Sequence, residues 1–197
     1  MRASVERLNM DETSIPGVVA FVGKQNSGKT VLLEKIVSAL TARGLKVATI
    51  KHHSHTGFEF DIEGKDSWRH RQAGSVHTVV AAPDQIASVR QISKEAEVKQ
   101  LIEAMIFEST VLNELPDFIL VEGYRHGGLP TIELFRAANP NDATRDIGAE
   151  DNEIIAIVTD IPRITQQAES LALPVFDFDA IEAICHFLIE RRAGKQN

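Results

Sequence analysis

Gly23-Lys24-Gln25-Asn26-Ser27-Gly28-Lys29-Thr30 decides the fold class. The octet satisfies G-x-x-x-x-G-K-[S/T] at every fixed position. It stands between an apolar run, Val18 to Val22, and an amphipathic stretch, Thr30 to Arg43. A strand that feeds a helix through such a turn makes an anion cradle. The glycines let the backbone curl until consecutive N–H groups face inward. The helix N-terminus adds its partial positive charge. In this pattern Lys29 reaches the β- and γ-phosphates of a nucleotide, and the Thr30 hydroxyl ligates Mg²⁺. Gly23, Lys24, Asn26, Ser27, Gly28 and Val31 complete the candidate phosphate-binding set.

Outward from the octet, short Val- and Ile-rich runs alternate with amphipathic stretches. Leu32, Leu33, Ile36, Val37 and Leu40 recur at helical spacing, and Gly44 stops that helix. Leu45 to Ile50 is a second strand, which completes a βαβ-like unit. A short helix, Lys65 to Ala73, precedes two strand-like runs, Val76 to Ala81 and Gln85 to Ile92, about a Pro83-Asp84 turn. Further helices are expected over Glu95 to Leu112, Ile164 to Leu171 and Ala180 to Arg191. Further strands are expected at Phe118 to Val121, Thr131 to Phe135, Ile154 to Val158 and Val175-Phe176. Ala137 to Asp151 is polar and is the segment expected to be most flexible. The alternation predicts a three-layer α/β/α fold with a mainly parallel sheet, P-loop NTPase-like. Such sheets place ligands at the carboxyl ends of their strands. One domain is expected over residues 17–197, after a mobile polar leader at 1–16.

Composition narrows the function. Of 197 residues, 43% are hydrophobic and 25% charged, which excludes a disordered tail or a disulfide-dense miniprotein. The net charge of −7 argues against broad nucleic-acid binding, which needs clustered Lys and Arg. A phosphorylated small ligand needs only one local positive pocket. Cys185 is the only cysteine, so no intrachain disulfide forms, and this fits a reducing compartment such as the cytoplasm. The apolar runs are too short to cross a bilayer, so no membrane association is expected.

Phosphoryl chemistry also needs a carboxylate near the metal. Phe118-Ile119-Leu120-Val121-Glu122-Gly123 is an apolar strand ending in an acid, a Walker-B-like element with Glu122 as candidate metal-side and catalytic carboxylate. Asp61 is a second candidate of that kind, and Asp66 is either a helix cap or a ligand. Lys51 and His52, after the second strand, are expected to face phosphate. His52, His53 and His55 are close enough to raise a metal site, though no cysteine accompanies them. Asp160 is a candidate for reading guanine, or else caps the next helix. Asp177 and Asp179 are similar candidates. Lys24 lies five residues before Lys29, a spacing that resembles the deviant loop of dimeric P-loop ATPases; an exposed loop lysine is the plainer reading.

In order along the chain, Ile50-Lys51-His52-His53, Gly64-Lys65-Asp66-Ser67, Gln72-Ala73-Gly74, Ile119 to Tyr124, Leu134-Phe135-Arg136 and Val158-Thr159-Asp160 join the phosphate loop in a pattern that resembles the molybdopterin-guanine dinucleotide biosynthesis protein B (MobB) family. The resemblance runs from Gly17 to about Glu190. It departs at Glu63, where that family often has Pro, and at Tyr124-Arg125, where it commonly has Phe-Lys. What it implies is a cytoplasmic, homodimeric protein that binds GTP and Mg²⁺ and hydrolyses GTP slowly. Such a protein assists a MobA-like molybdenum cofactor guanylyltransferase in joining GMP to molybdopterin. Two rival classes share parts of the pattern. An ATP-dependent ligase or kinase resembling dethiobiotin synthetase also pairs a phosphate loop with a Val-Glu-Gly strand end. A nickel-insertion GTPase would use the histidines.

Overall fold

The structure is a computed structural model that describes residues 16–53, 55, 57–148 and 153–194. Apart from Pro16, the expected leader lies outside the described residues. In chain order the elements are β1 (Gly17–Val22), α1 (Lys29–Ala42), β2 (Val47–Lys51), α2 (Asp66–Gln72), β3 (His77–Ala81), β4 (Ile86–Arg90), α3 (Val98–Val111), β5 (Phe118–Glu122), β6 (Thr131–Phe135), β7 (Ile154–Thr159), α4 (Pro162–Ser170), β8 (Val175–Phe176) and α5 (Ile181–Gly194). A 3-10 turn, Pro140–Asp142, follows β6.

Contacts divide the chain into two compact units, where sequence reasoning set no boundary inside 17–197. One unit runs through His52 and resumes at Val98; the other is His53–Glu97. The first holds a six-stranded sheet of order β2-β5-β1-β6-β7-β8. Every pairing in it is parallel. With helices on both faces, this is the three-layer α/β fold of P-loop NTPase type.

Alternation along the strands builds the layers. Phe21, Phe118, Leu120, Ile132 and Leu134 pack with Leu32, Ile36 and Leu40 of α1 and Ile184 and Leu188 of α5. Their neighbours Ala20, Val22, Ile119 and Val121 pack the other way, against Val98 and Ile102 of α3. Phe135 and Ile157 meet Ile164 and Ala168 of α4. Strands buried on both faces need continuous apolar runs, which is why β1 and β5 stand out in the sequence. Cys185 of α5 is fully buried in the first of these clusters, and burial pushes its thiol pKa up.

The second unit is built differently. β3 and β4 form an antiparallel hairpin, closed by Ala82 N–H donating to Gln85 O at 2.8 Å. Phe58, Phe60, Ile62, Val79, Val80 and Ile86 all leave large apolar side chains exposed. No helix among the described residues is long and apolar enough to cross a membrane.

Ile36 is fully buried, whereas Ser38 on the same helix is exposed. Ile36→Ala is expected to cost about 2–5 kcal/mol through lost burial and a residual cavity. Ser38→Ala is expected to stay within about 0.5 kcal/mol. Urea unfolding followed by circular dichroism measures both.

Candidate nucleotide site

Glycine is required at two points of the loop after β1. A Cβ on Gly23 would meet Leu134 O at 3.0 Å and Ser27 Cβ at 3.3 Å. Gly28 has φ +83, and a Cβ there would lie 3.2 Å from Arg136 Nη1. Asn26 also takes a left-handed conformation, φ 66, which Asn tolerates better than most residues. Gly28 is the N-cap of α1 and supplies no side-chain cap, so the first-turn amides stay open toward the loop. Lys29 Nζ donates to Gly23 O at 3.0 Å and Lys24 O at 2.8 Å. Burial lowers the Lys29 pKa, while the charges of Glu122 and Asp142 pull it back. The Lys24 side chain and Val31 are exposed.

Thr30 and Glu122, the pair expected on the metal side, are in contact. Thr30 Oγ1 donates to Glu122 Oε1 at 2.9 Å. Lys51 Nζ lies 3.3 and 3.4 Å from the two Glu122 oxygens and 3.5 Å from Thr30 Oγ1. Lys51, expected toward phosphate, therefore rests on the carboxylate. β2 and β5 pair Lys51 directly beside Glu122, so opposite charges meet at one sheet rim. A hydroxyl and a carboxylate form a hard-oxygen set, and together with the open helix terminus these residues fit a Mg²⁺-bound phosphate chain. His52 is held differently: its ring lies against Tyr124, centroids 4.5 Å apart. Gly123 beside them has φ +98, and a Cβ there would be 2.9 Å from His52 Cβ.

The remaining candidates have local partners. Asp61 belongs to the second unit, where its carboxylate accepts from Ile62 N–H at 2.9 Å and Ser67 Oγ at 3.0 Å and faces Arg71 at 3.7 Å. Asp66 opens α2 as its first residue rather than capping it, and pairs with Arg69 at 3.7 Å. Asp160, at the end of β7, accepts from Ala137 N–H at 2.5 Å and has Arg136 Nε at 4.0 Å. It does not cap α4: Thr159 Oγ1 takes the Ile161 N–H at 3.0 Å. Asp177 accepts from Asp179 N–H at 3.0 Å, and Asp179 pairs with Lys35 at 2.8 Å. His53 packs edge-on to His55 and against Phe58. Among the described residues no three His, Cys, Asp or Glu side chains gather in a metal-holding arrangement.

Sequence reasoning missed the residues behind the loop. The segment after β6, expected to be flexible, is tied down through residue 148 by buried polar contacts. Ser27 Oγ donates to Asp142 Oδ2 at 2.9 Å, and both residues are fully buried. Asn139 Nδ2 reaches Gln25 O at 3.0 Å and Ser27 Oγ at 3.1 Å. Arg145 Nε donates to Asp142 Oδ1 at 3.0 Å, and its guanidinium also pairs with buried Glu133 and covers the Phe135 ring. One signal pointed here. Glu133 interrupts the apolar run Thr131 to Phe135, and a carboxylate in a buried strand demands a cationic partner.

An all-parallel sheet with an uncapped glycine loop, a loop lysine and a Thr–carboxylate pair at its carboxyl rim defines a protein of the P-loop NTPase fold. The family model for molybdopterin guanine dinucleotide synthesis protein B, MobB, matches residues 18–160. The chain belongs to that family. It is 32% identical over 182 residues to the molybdopterin-guanine dinucleotide biosynthesis adapter protein of Escherichia coli K12, covering 91% of this chain and 94% of that protein. It is 35% identical over 145 residues to the adapter protein of Haemophilus influenzae, covering 74% and 75%. The crystal structure of Bacillus subtilis MobB superposes with TM-score 0.67 at 27% identity, covering 90% of this chain and 98% of that one.

Burial is the largest influence on Lys29, so its charged form is penalised in the fold. Between the lowered pKa and 10.5 the unfolded chain binds more protons than the folded one, and stability rises with pH. Urea unfolding of wild type and Lys29→Met at about pH 8 and about pH 10 checks this, with the difference expected to move in favour of wild type at the higher pH.

Proposed function

We propose that this chain is a GTP-binding adapter of molybdenum cofactor biosynthesis. It assists a MobA-like guanylyltransferase in attaching GMP to molybdopterin, acts as a cytoplasmic homodimer, and hydrolyses GTP to GDP and phosphate slowly. One observation carries the nucleotide part: in a MobB-family chain, the phosphate loop is intact and its Thr30 meets Glu122 at 2.9 Å.

Each residue then has a task. The amides of Asn26, Gly28, Lys29 and Thr30 bind phosphate oxygens, while the Ser27 N–H closes the loop on Lys24 O at 3.2 Å. Lys29 exchanges two loop carbonyls for phosphate oxygens, a stronger charge-assisted contact. Thr30 and Glu122 would hold Mg²⁺, which screens phosphate charge when bound. Lys51 shares the rim with them and adds a second cation for the terminal phosphate. Slow turnover fits the restraint on Arg136, the guanidinium beside Gly28, which lies over the Phe178 ring at 4.3 Å and faces Asp160. Asp160 stands at the carboxyl rim as the acceptor assigned to guanine.

Calorimetry tests this directly. GTP with Mg²⁺ is expected to bind tighter than ATP, and Lys29→Ala is expected to weaken GTP binding by about 100-fold or more. Asp160→Asn is expected to narrow the GTP-to-ATP preference by roughly ten-fold while sparing the phosphate contribution. Equal ATP binding by the wild type counts against the base assignment. Undiminished binding in the Lys29 variant counts against the site itself.

A further inference from the structure

The phosphate loop is gripped from behind by a segment more than a hundred residues downstream. Asn139 and Asp142 are both buried; Asn139 caps the 3-10 turn after β6 and Asp142 is its last residue. Asn139 Nδ2 donates to Gln25 O at 3.0 Å. In a trans peptide the C=O and the following N–H point opposite ways. Fixing the Gln25 carbonyl onto Asn139 therefore aims the Asn26 amide away from Asn139, and Asn26 holds the left-handed φ of 66 that continues the curl. Ser27 is clamped on the same side: its hydroxyl donates to Asp142 Oδ2 at 2.9 Å and accepts from Asn139 at 3.1 Å. Asp142 Oδ2 also receives Arg136 N–H at 3.0 Å, and Asp142 Oδ1 receives Arg145 Nε. Arg145 is anchored in turn on Leu134 O at 2.6 Å and on Glu133. Glu133 is also engaged by Arg125 at 3.2 Å and by Gly148 N–H at 3.3 Å.

We propose that Asn139, with Asp142 and Ser27, is a positioning residue for phosphate recognition: it fixes the direction of the Asn26 amide from the far side of the loop. The inference rests on the nucleotide-binding reading and deepens it. Glycines permit the curl, and the Asn139–Asp142 clamp selects one member of the conformations that glycines allow. The clamp side chains engage one another and the Gln25 carbonyl, behind the loop. Its effect is confined to the phosphate end of a nucleotide, and the base end is left alone.

The test compares Ser27→Ala, Asn139→Ala and the double variant in titrations with GTP, ATP and inorganic pyrophosphate. Each single change is expected to weaken all three ligands by about ten-fold, because one hydrogen-bonded restraint is lost. The GTP-to-ATP ratio is expected to stay at its wild-type value. The double variant is expected to lose clearly less than the product of the two single losses, since both residues act in one clamp. Ser27→Ala removes a single oxygen and keeps the experiment decisive if Asn139→Ala fails to fold. Folded variants that bind pyrophosphate and GTP like the wild type overturn the inference while leaving nucleotide binding standing. A change in the GTP-to-ATP ratio without loss of pyrophosphate affinity overturns it too. A wild-type chain that binds none of the three overturns the nucleotide reading, and the inference with it.

Discussion

Parallel pairing of β1 between β5 and β6 is the constraint on which the site depends. Its register sets Phe21 beside Glu122 and Val22 beside Glu133. The loop thus leaves the sheet between two glutamates with opposite fates. Glu122 reaches the rim and meets Thr30 and Lys51; Glu133 points into the protein and meets Arg145. A slip of one residue would turn Phe21 out of the layer shared with α1 and α5 and separate both acids from their partners. The apolar alternation that makes the core therefore also fixes the chemistry at the carboxyl rim.

The buried charges behind the loop have a different logic. Two fully buried carboxylates, Glu133 and Asp142, share one largely buried guanidinium. Such groups are poor sources of stability, because desolvation offsets most of their attraction. Once paired they are hard to rearrange, since releasing Arg145 takes away the guanidinium that both acids share. That suits a loop whose task demands one geometry. Lys29 feels the same surroundings: Asp142 and Glu122 help keep its ammonium charged against the cost of burial.

Much of this was legible in the sequence because the governing chemistry is local. The phosphate loop, the both-face burial of β1 and β5, and the acid closing β5 all announce themselves within a few residues. The rest depends on partners far apart in the chain. Nothing near Ser27 announces Asp142, 115 residues away. The sequence places Lys51 at the end of its strand, but only the β2–β5 register reveals its carboxylate neighbour, Glu122. Asp66, open in the sequence between helix cap and ligand, is the first residue of α2, with Lys65 in the cap position. Two strand-like runs about Pro83-Asp84 were visible as strands, yet short-range alternation carries no information on which sheet they join. Glu133 shows the middle case. Its burial was readable from the strand around it, but the identity of its arginine was not.

The seat of Cys185 gives the chain an intrinsic sentinel. The residue lies on α5 with no exposed surface, in the cluster that also holds Leu32, Ile36 and Leu40 of α1. Its raised pKa keeps it protonated, so oxidants and alkylating reagents meet an unreactive and shielded group. Alkylation of that sulfur then reports opening of the core layer that α5 shares with α1, without a dye or an engineered label.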